Sequence, residues 1–298
     1  MKKRSVFIKI ILVLAFLLIL LFLMLKGCSK KHEKPIIFKD VVFESMVKES
    51  LKKEKIFPSD LKGYSGILIA ANRLMSFSGN GKDTESIILY GYDTFEYKGI
   101  RYTEFGTMKS LEDLKYFPDL TSISIYLQPE VDYSSIPNKE NIYHLNLSQN
   151  QIDDIKFLDG YNKLINLNLS SNKIENLKGI ENLMALKRVS FSLNNINNID
   201  LLKDLINIEK LELTLNKVSD LKPLTNLNKL EYLSLYENGL TDIIPLTKIK
   251  SLRELYLNNN NITDISPLKE FASFDILNIS DNPINNIETI SHIEYIDE

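Results

Sequence analysis

Asparagine stands at every 22nd position through the second half of the chain, at Asn150, Asn172, Asn194, Asn216, Asn238, Asn260 and Asn282. The same apolar frame surrounds each one. Around Asn172 it consists of Leu164, Leu167, Leu169, Ile174, Leu177, Ile180 and Leu183. Seven consecutive copies, residues 141–294, keep this spacing without insertion or deletion. Such a chain is not free to fold around one central core. Every copy must take one conformation, bury a face it cannot bury alone, and stack on its neighbours.

Within a copy, the alternation Leu167-Asn168-Leu169 is a period-2 signal for a short strand with two side chains inward and one outward. Identical strands 22 residues apart must run parallel, with the rest of each copy as the crossover. After the asparagine the apolar spacing becomes three (Ile174, Leu177, Ile180, Leu183), which suits 3₁₀-like or α-helical arcs. Strands pack closer than arcs, so the stack curves. The pattern L-x-x-L-x-L-x-x-N-x-L is identified as a leucine-rich repeat. The expected fold is an α/β repeat solenoid: a leucine-rich repeat horseshoe with a parallel concave sheet, short 3₁₀/α convex arcs and a helical cap at the amino end.

Hydrogen-bond requirements explain the asparagine. Where the chain leaves the strand, inward-facing backbone groups lack sheet partners. A carboxamide has an acceptor and two donors, enough to satisfy groups in its own turn and the next. The seven asparagines therefore read as a structural ladder and not as ligand or glycan sites. Both ends of such a stack need covering.

The amino end opens with Met1-Lys2-Lys3-Arg4-Ser5 and a mostly apolar stretch that has no polar residue from 10 to 25. This is the form of a secretory signal or an uncleaved anchor. Cys28, the only cysteine, follows in Leu25-Lys26-Gly27-Cys28. That segment resembles the lipobox of bacterial lipoproteins at Leu25 and Gly27 and departs from it at Lys26. Lipidation at Cys28 and a plain membrane anchor both stay open. With one cysteine there is no disulfide framework. Basic residues flank the apolar run on both sides, but a short leading tail and a long following domain favour the outer face of the membrane.

The expected organisation is a signal or anchor at 1–27, a basic tether at 28–37, a helical cap at 38–62, degenerate repeats at 63–140 and seven regular repeats at 141–298. Asp40 suits an N-cap for a helix to about Lys53, with Val42, Met46, Val47 and Leu51 inward. Ile67, Ile69, Asn72 and Leu74 echo the repeat, residues 76–86 read as a polar loop, and 87–95 and 97–105 read as strands. Ser110 to Leu114 recovers the outer arc. Leu120, Ile123 and Ile125 give another strand, with Gln128 in place of the asparagine. Gly79-Asn80-Gly81-Lys82-Asp83-Thr84 is not a phosphate loop, since the motif needs glycine at Ser76 and a hydroxyl at Asp83.

The regular array and the helical segment ahead of it resemble internalin-type bacterial surface proteins, strongly over residues 141–294 and more weakly before them. The resemblance implies a secreted or surface-attached bacterial protein that binds other proteins on its concave face. Internalins often carry an immunoglobulin-like cap and a wall-sorting signal after the repeats. Neither is read here, and attachment is expected at the amino end. Host adhesion therefore does not carry over. Intracellular phosphatase-regulatory proteins share the repeat class.

No catalytic constellation is present. His32, His144 and His292 are scattered, no Cys/His cluster has metal spacing, and no cofactor motif appears. The net charge of −3, with no basic stripe, argues against nucleic acid. Function should lie on the outward strand positions. Most are small and polar, and the exceptions gather in adjacent copies: Arg188, Lys210, Glu212, Tyr232, Tyr236, Glu254 and Tyr256. Tyrosine and arginine carry interface energy. The expectation is a non-enzymatic, membrane-attached surface protein that binds a protein or peptide. The alternatives are an envelope scaffold, self-associating through apolar surface left by Ile290, Ile293 and Ile296, and a cytoplasm-facing regulatory adaptor.

Overall fold

The computed structural model describes residues 33–78, 88–90, 94–97 and 99–293. The apolar amino-terminal segment, Cys28, most of the polar loop and the last five residues lie outside the described residues. So do the signal, anchor and lipidation readings attached to them.

The cap is a helix, α1 (Val41–Leu51), started by Asp40 and ended by Lys52 in the left-handed region. One Asp40 carboxylate oxygen accepts from the backbone N–H of Val42 (2.9 Å) and Phe43 (3.0 Å). The other accepts from Lys109 N (2.7 Å) and Ser110 N (3.2 Å), so the cap and the first coil share one side chain. Asp113, itself buried, returns the arrangement by accepting from Lys39 N and Asp40 N. Phe43, Met46 and Val47 face the core, with Val42 and Leu51 partly buried beside it.

The first coil departs from the regular pattern. Strand β1 (Gly66–Ala70) sits in the main sheet, but β2 (Arg73–Ser78) doubles back antiparallel along its edge. Ile69 pairs with Leu74, so the expected repeat spacing through Asn72 and Leu74 gives way to a hairpin, and the expected polar loop begins inside β2. Instead of two strands at 87–95 and 97–105 there are three among the described residues. Strands β3 (Ile88–Tyr90), β4 (Thr94–Tyr97) and β5 (Ile100–Thr103) form their own antiparallel sheet. Gly99, at φ 77°, allows the tight turn from β4 to β5.

From β6 (Ser122–Tyr126) onward the period holds. The strands that follow are β7 (His144–Asn146), β8 (Asn166–Asn168), β9 (Arg188–Ser190), β10 (Lys210–Glu212), β11 (Tyr232–Ser234), β12 (Glu254–Tyr256) and β13 (Ile276–Asn278). Among the described residues, β1 and β6 to β13 form one parallel sheet in sequence order, with β2 on its amino-terminal edge. Gly66 pairs with Ser122 across a 56-residue coil, whereas Ser122 pairs with His144 across 22. The central strand residues, from Leu145 to Leu277, are in register and buried. The outer side returns through short 3₁₀ turns such as Lys222–Leu224 and Ser266–Glu270. One apolar core runs the length of the stack, from Phe38 and Phe43 to Ile290 and Ile293. Ile290 and Ile293 are buried and do not supply the apolar end surface expected of them, whereas Ile287, where that end begins, is exposed at 47%, and Ile296 lies outside the described residues.

The asparagines join the coils. Asn216 Nδ2 donates to Leu213 O (3.1 Å) and Thr214 O (3.2 Å) in its own coil and to Phe191 O (3.0 Å) in the coil before. Its Oδ1 accepts from Ile196 N (3.0 Å), also in the coil before. Asn172, Asn194, Asn238, Asn260 and Asn282 make the same set. Asn150 varies it, accepting from Gln128 N and donating to Ile125 O and Ser148 O. Each carboxamide therefore ties its coil to the preceding one and not to the following one. The residue before each asparagine has positive φ: Gln149, Ser171, Leu193, Leu215, Glu237, Asn259 and Asp281 lie between 53° and 59°. This left-handed step turns the chain out of the strand and brings the carboxamide inward. At the long first coil Gln128 takes the asparagine's place, with its Nε2 donating to Ala71 O and its Oε1 accepting from Met108 N. Gly106 leaves it room, since a Cβ there would lie 2.0 Å from Gln128 Nε2.

A second polar column runs down the convex side. Asp132, Asp154, Asn176, Asn198, Asp220, Asp242 and Asp264 each accept, through Oδ1, from the backbone N–H two residues on. These Asx turns lead the chain into the outer arcs.

Candidate binding surface

Parallel pairing places outward residues of successive strands side by side. One row across the sheet is His144, Asn166, Arg188, Lys210, Tyr232, Glu254 and Ile276. The row two residues further along the strands is Ser124, Asn146, Asn168, Ser190, Glu212, Ser234, Tyr256 and Asn278. Four of the seven singled-out residues, Arg188, Lys210, Tyr232 and Glu254, are therefore consecutive in one row. Glu212 and Tyr256 stand in the other. Tyr236 lies two residues beyond β11, in the turn and not on the strand with Tyr232, because the strand ends at Ser234.

The side chains of this group touch. The Tyr232 and Tyr256 rings are 5.4 Å apart at 43°. Lys210 Nζ lies 4.0 Å from the Tyr232 ring centre and 2.8 Å from Glu212 Oε1. The result is a half-buried stack of ammonium, phenol and phenol, with a carboxylate holding the ammonium in place. Burial pushes the Tyr232 hydroxyl up to about 12, with Glu212, Tyr256 and Glu254 adding to the effect. Tyr232 is thus a neutral donor at any physiological pH. Arg188 stands apart from this stack.

Beside the stack, toward the amino end, the sheet face sinks into a hollow of about 290 Å³. His144, Asn146, Asn166, Asn168, Arg188, Ser190, Lys210 and Glu212 line it, together with the apolar Ile123, Leu145, Leu167 and Val189. Asn166 Nδ2 donates to His144 Nδ1 (2.7 Å). Burial, and then the Arg188 charge, hold the His144 imidazole below its ordinary value. Among the described residues no group of three His, Cys, Asp or Glu side chains is placed to hold a metal ion.

A family model for leucine-rich repeats, in two copies, matches residues 228–270 and 250–295. A solved structure of internalin C2 from Listeria monocytogenes superposes with a TM-score of 0.55 at 22% identity, covering 88% of this chain and 94% of that one. The fold is that of an internalin-like leucine-rich repeat protein. A leucine-rich repeat protein of Leptospira interrogans gives a TM-score of 0.54 at 25% identity over 65% of this chain and 53% of its own. No curated protein sequence matches the chain.

In this internalin-like horseshoe the arrangement can bind and orient a ligand on the sheet face. The sequence reading followed large side chains and so passed over the hollow. Its signal is the run of small polar outward residues Asn146, Asn168 and Ser190. Where every second side chain is short, the face recedes.

Proposed function

We propose that the protein is a non-enzymatic, membrane-attached binding module that grips a protein or peptide on the concave sheet face. The carrying observation is the stack of Lys210, Tyr232 and Tyr256 standing on a rigid sheet. Two rings and an alkyl-ammonium, partly desolvated and already ordered, lose little freedom on binding. Aromatic anchors of this kind supply most of the energy of an interface. Among the described residues no helix is long and apolar enough to cross a membrane. The attachment reading rests on the apolar run before Cys28, and outer-face placement rests on its short leading tail.

A site-specific photocrosslinker tests the binding face in intact cells. With p-benzoylphenylalanine at position 256, irradiation should give a discrete adduct band. The same group at position 178, on an outer arc, should give none. Adducts from 178 and not from 256, or from neither, would contradict the assignment.

A further inference from the structure

We propose that the hollow beside β7 to β10 is an anchoring pocket for an acidic side chain of the bound polypeptide, with Arg188 as its charged contact. This rests on the concave face being the binding face and names the chemistry it selects.

The charges around the hollow are unequal in availability. Lys210 is occupied, held by Glu212 at 2.8 Å and laid over Tyr232 at 4.0 Å. Glu212 is engaged by the same contact. Arg188 is exposed and makes no ion pair among the described residues, so it is the cation of the hollow that no carboxylate holds in direct contact. That charge is felt nearby: it depresses the His144 imidazole and contributes to depressing the Glu209 carboxyl. His144 consequently adds a neutral ring, not a second cation. Asn146, Asn168 and Ser190 line the hollow together with Arg188, and their short side chains leave it open.

A guanidinium presents two parallel N–H donors that match a carboxylate. The Asn168 amide, whose Oδ1 is taken by Ser170 N, keeps its N–H groups for an oxygen left over, while the Asn146 and Asn166 amides and the Ser190 hydroxyl already bond Tyr126, His144 and Ser170. Strand β9 is two strands from β11, or roughly 10 Å, so one short segment can place an acidic side chain here and an apolar one on Tyr232 and Tyr256. Glu254, next in the row beyond Tyr232, makes no ion pair among the described residues either. Arg188 on β9, Tyr232 on β11 and Glu254 on β12 therefore follow one another along one row, with Tyr256 on the same strand as Glu254. A segment lying over them is given a direction, acidic end toward β9.

The test pans a random dodecapeptide display library against the full chain in detergent micelles. Selected peptides should be enriched in Asp and Glu. They should bind Arg188→Ala roughly tenfold or more weakly, Arg188→Lys in between, and Arg188→Glu should select Lys- and Arg-rich peptides instead. Thermal melts should be unchanged, because Arg188 is outside the core. Peptides without acidic enrichment, peptides that bind Arg188→Ala equally well, or no peptides at all would overturn the proposal. Displacement by free glutamate at the same concentration as peptide would overturn it too, by assigning the pocket to small acids. Loss of binding in Tyr232→Ala/Tyr256→Ala but not in Arg188→Ala would remove the pocket and leave the face. Indifference to both would remove the face.

Discussion

At the scale of single residues, the asparagine works because its amide bonds four backbone groups where the chain leaves the sheet; at Asn216 only one of these, Thr214 O, is also reached by a neighbouring backbone N–H, that of Leu193. Asn216 does so from a buried position, in the coil it belongs to and in the one before. Losing it leaves buried N–H and C=O groups unpaired at about 1–3 kcal/mol. Asn216→Ala is therefore expected to lower stability by about that amount, in one transition shared by the repeats, as read by thermal melting; an unchanged melt would mean the carboxamide is not needed. The asparagine was legible in the sequence because it recurs at all seven regular positions, with Gln128 in its place where the inserted coil moves the acceptor to Ala71. The left-handed residue before it was not. Gln149, Ser171, Leu193, Leu215, Glu237, Asn259 and Asp281 share a conformation and no side-chain property. The coil imposes that φ on whatever residue arrives there, at a cost of about 1–2 kcal/mol for a non-glycine residue, and the carboxamide bonds offset it.

At the scale of the element, each coil is strand, left-handed step, Asx turn and outer arc. The acid-rich Asx column keeps the 22-residue period as faithfully as the ladder does from Asp132 to Asp264. It should act as caps do. Asp220→Ala is expected to destabilise by about 0.5–2 kcal/mol and Asp220→Asn by much less, since the amide oxygen still accepts from Lys222 N. Equal loss in chemical denaturation for both variants would make the charge, and not the turn, the important feature. The Asp154 and Asp264 carboxyls are held below their ordinary value, chiefly by hydrogen bonds from Lys156 and Ser266. A depressed carboxyl adds stability above its unfolded pKa, and that stability fades as pH falls through the folded value. This contribution is thus complete at neutral pH and lost in acid. The inserted sheet β3 to β5 carried no period, so its apolar residues read as two strands where there are three, and their pairing was not legible.

At the scale of the molecule, period and packing dictate the inner face while the outer face is left free. Substitutions such as Arg188, Tyr232 and Tyr256 change what the sheet presents without entering the core. The Tyr232–Tyr256 contact was half legible. The strand period places the two residues on adjacent strands, but whether rings two positions apart lean together depends on side-chain geometry that spacing does not contain. Attachment belongs to this scale too. If Cys28 is lipidated, Cys28→Ser abolishes lipid labelling and leaves a slightly larger precursor; equal labelling and size would support an uncleaved anchor instead. The most direct measurement of the central claim pairs binding with melting for Tyr232→Ala/Tyr256→Ala. Anchor truncations of this kind cost about 2 kcal/mol or more, roughly thirtyfold in affinity. The account predicts loss of partner binding with an unchanged melting temperature. Retained binding, or binding lost only together with the fold, would contradict it.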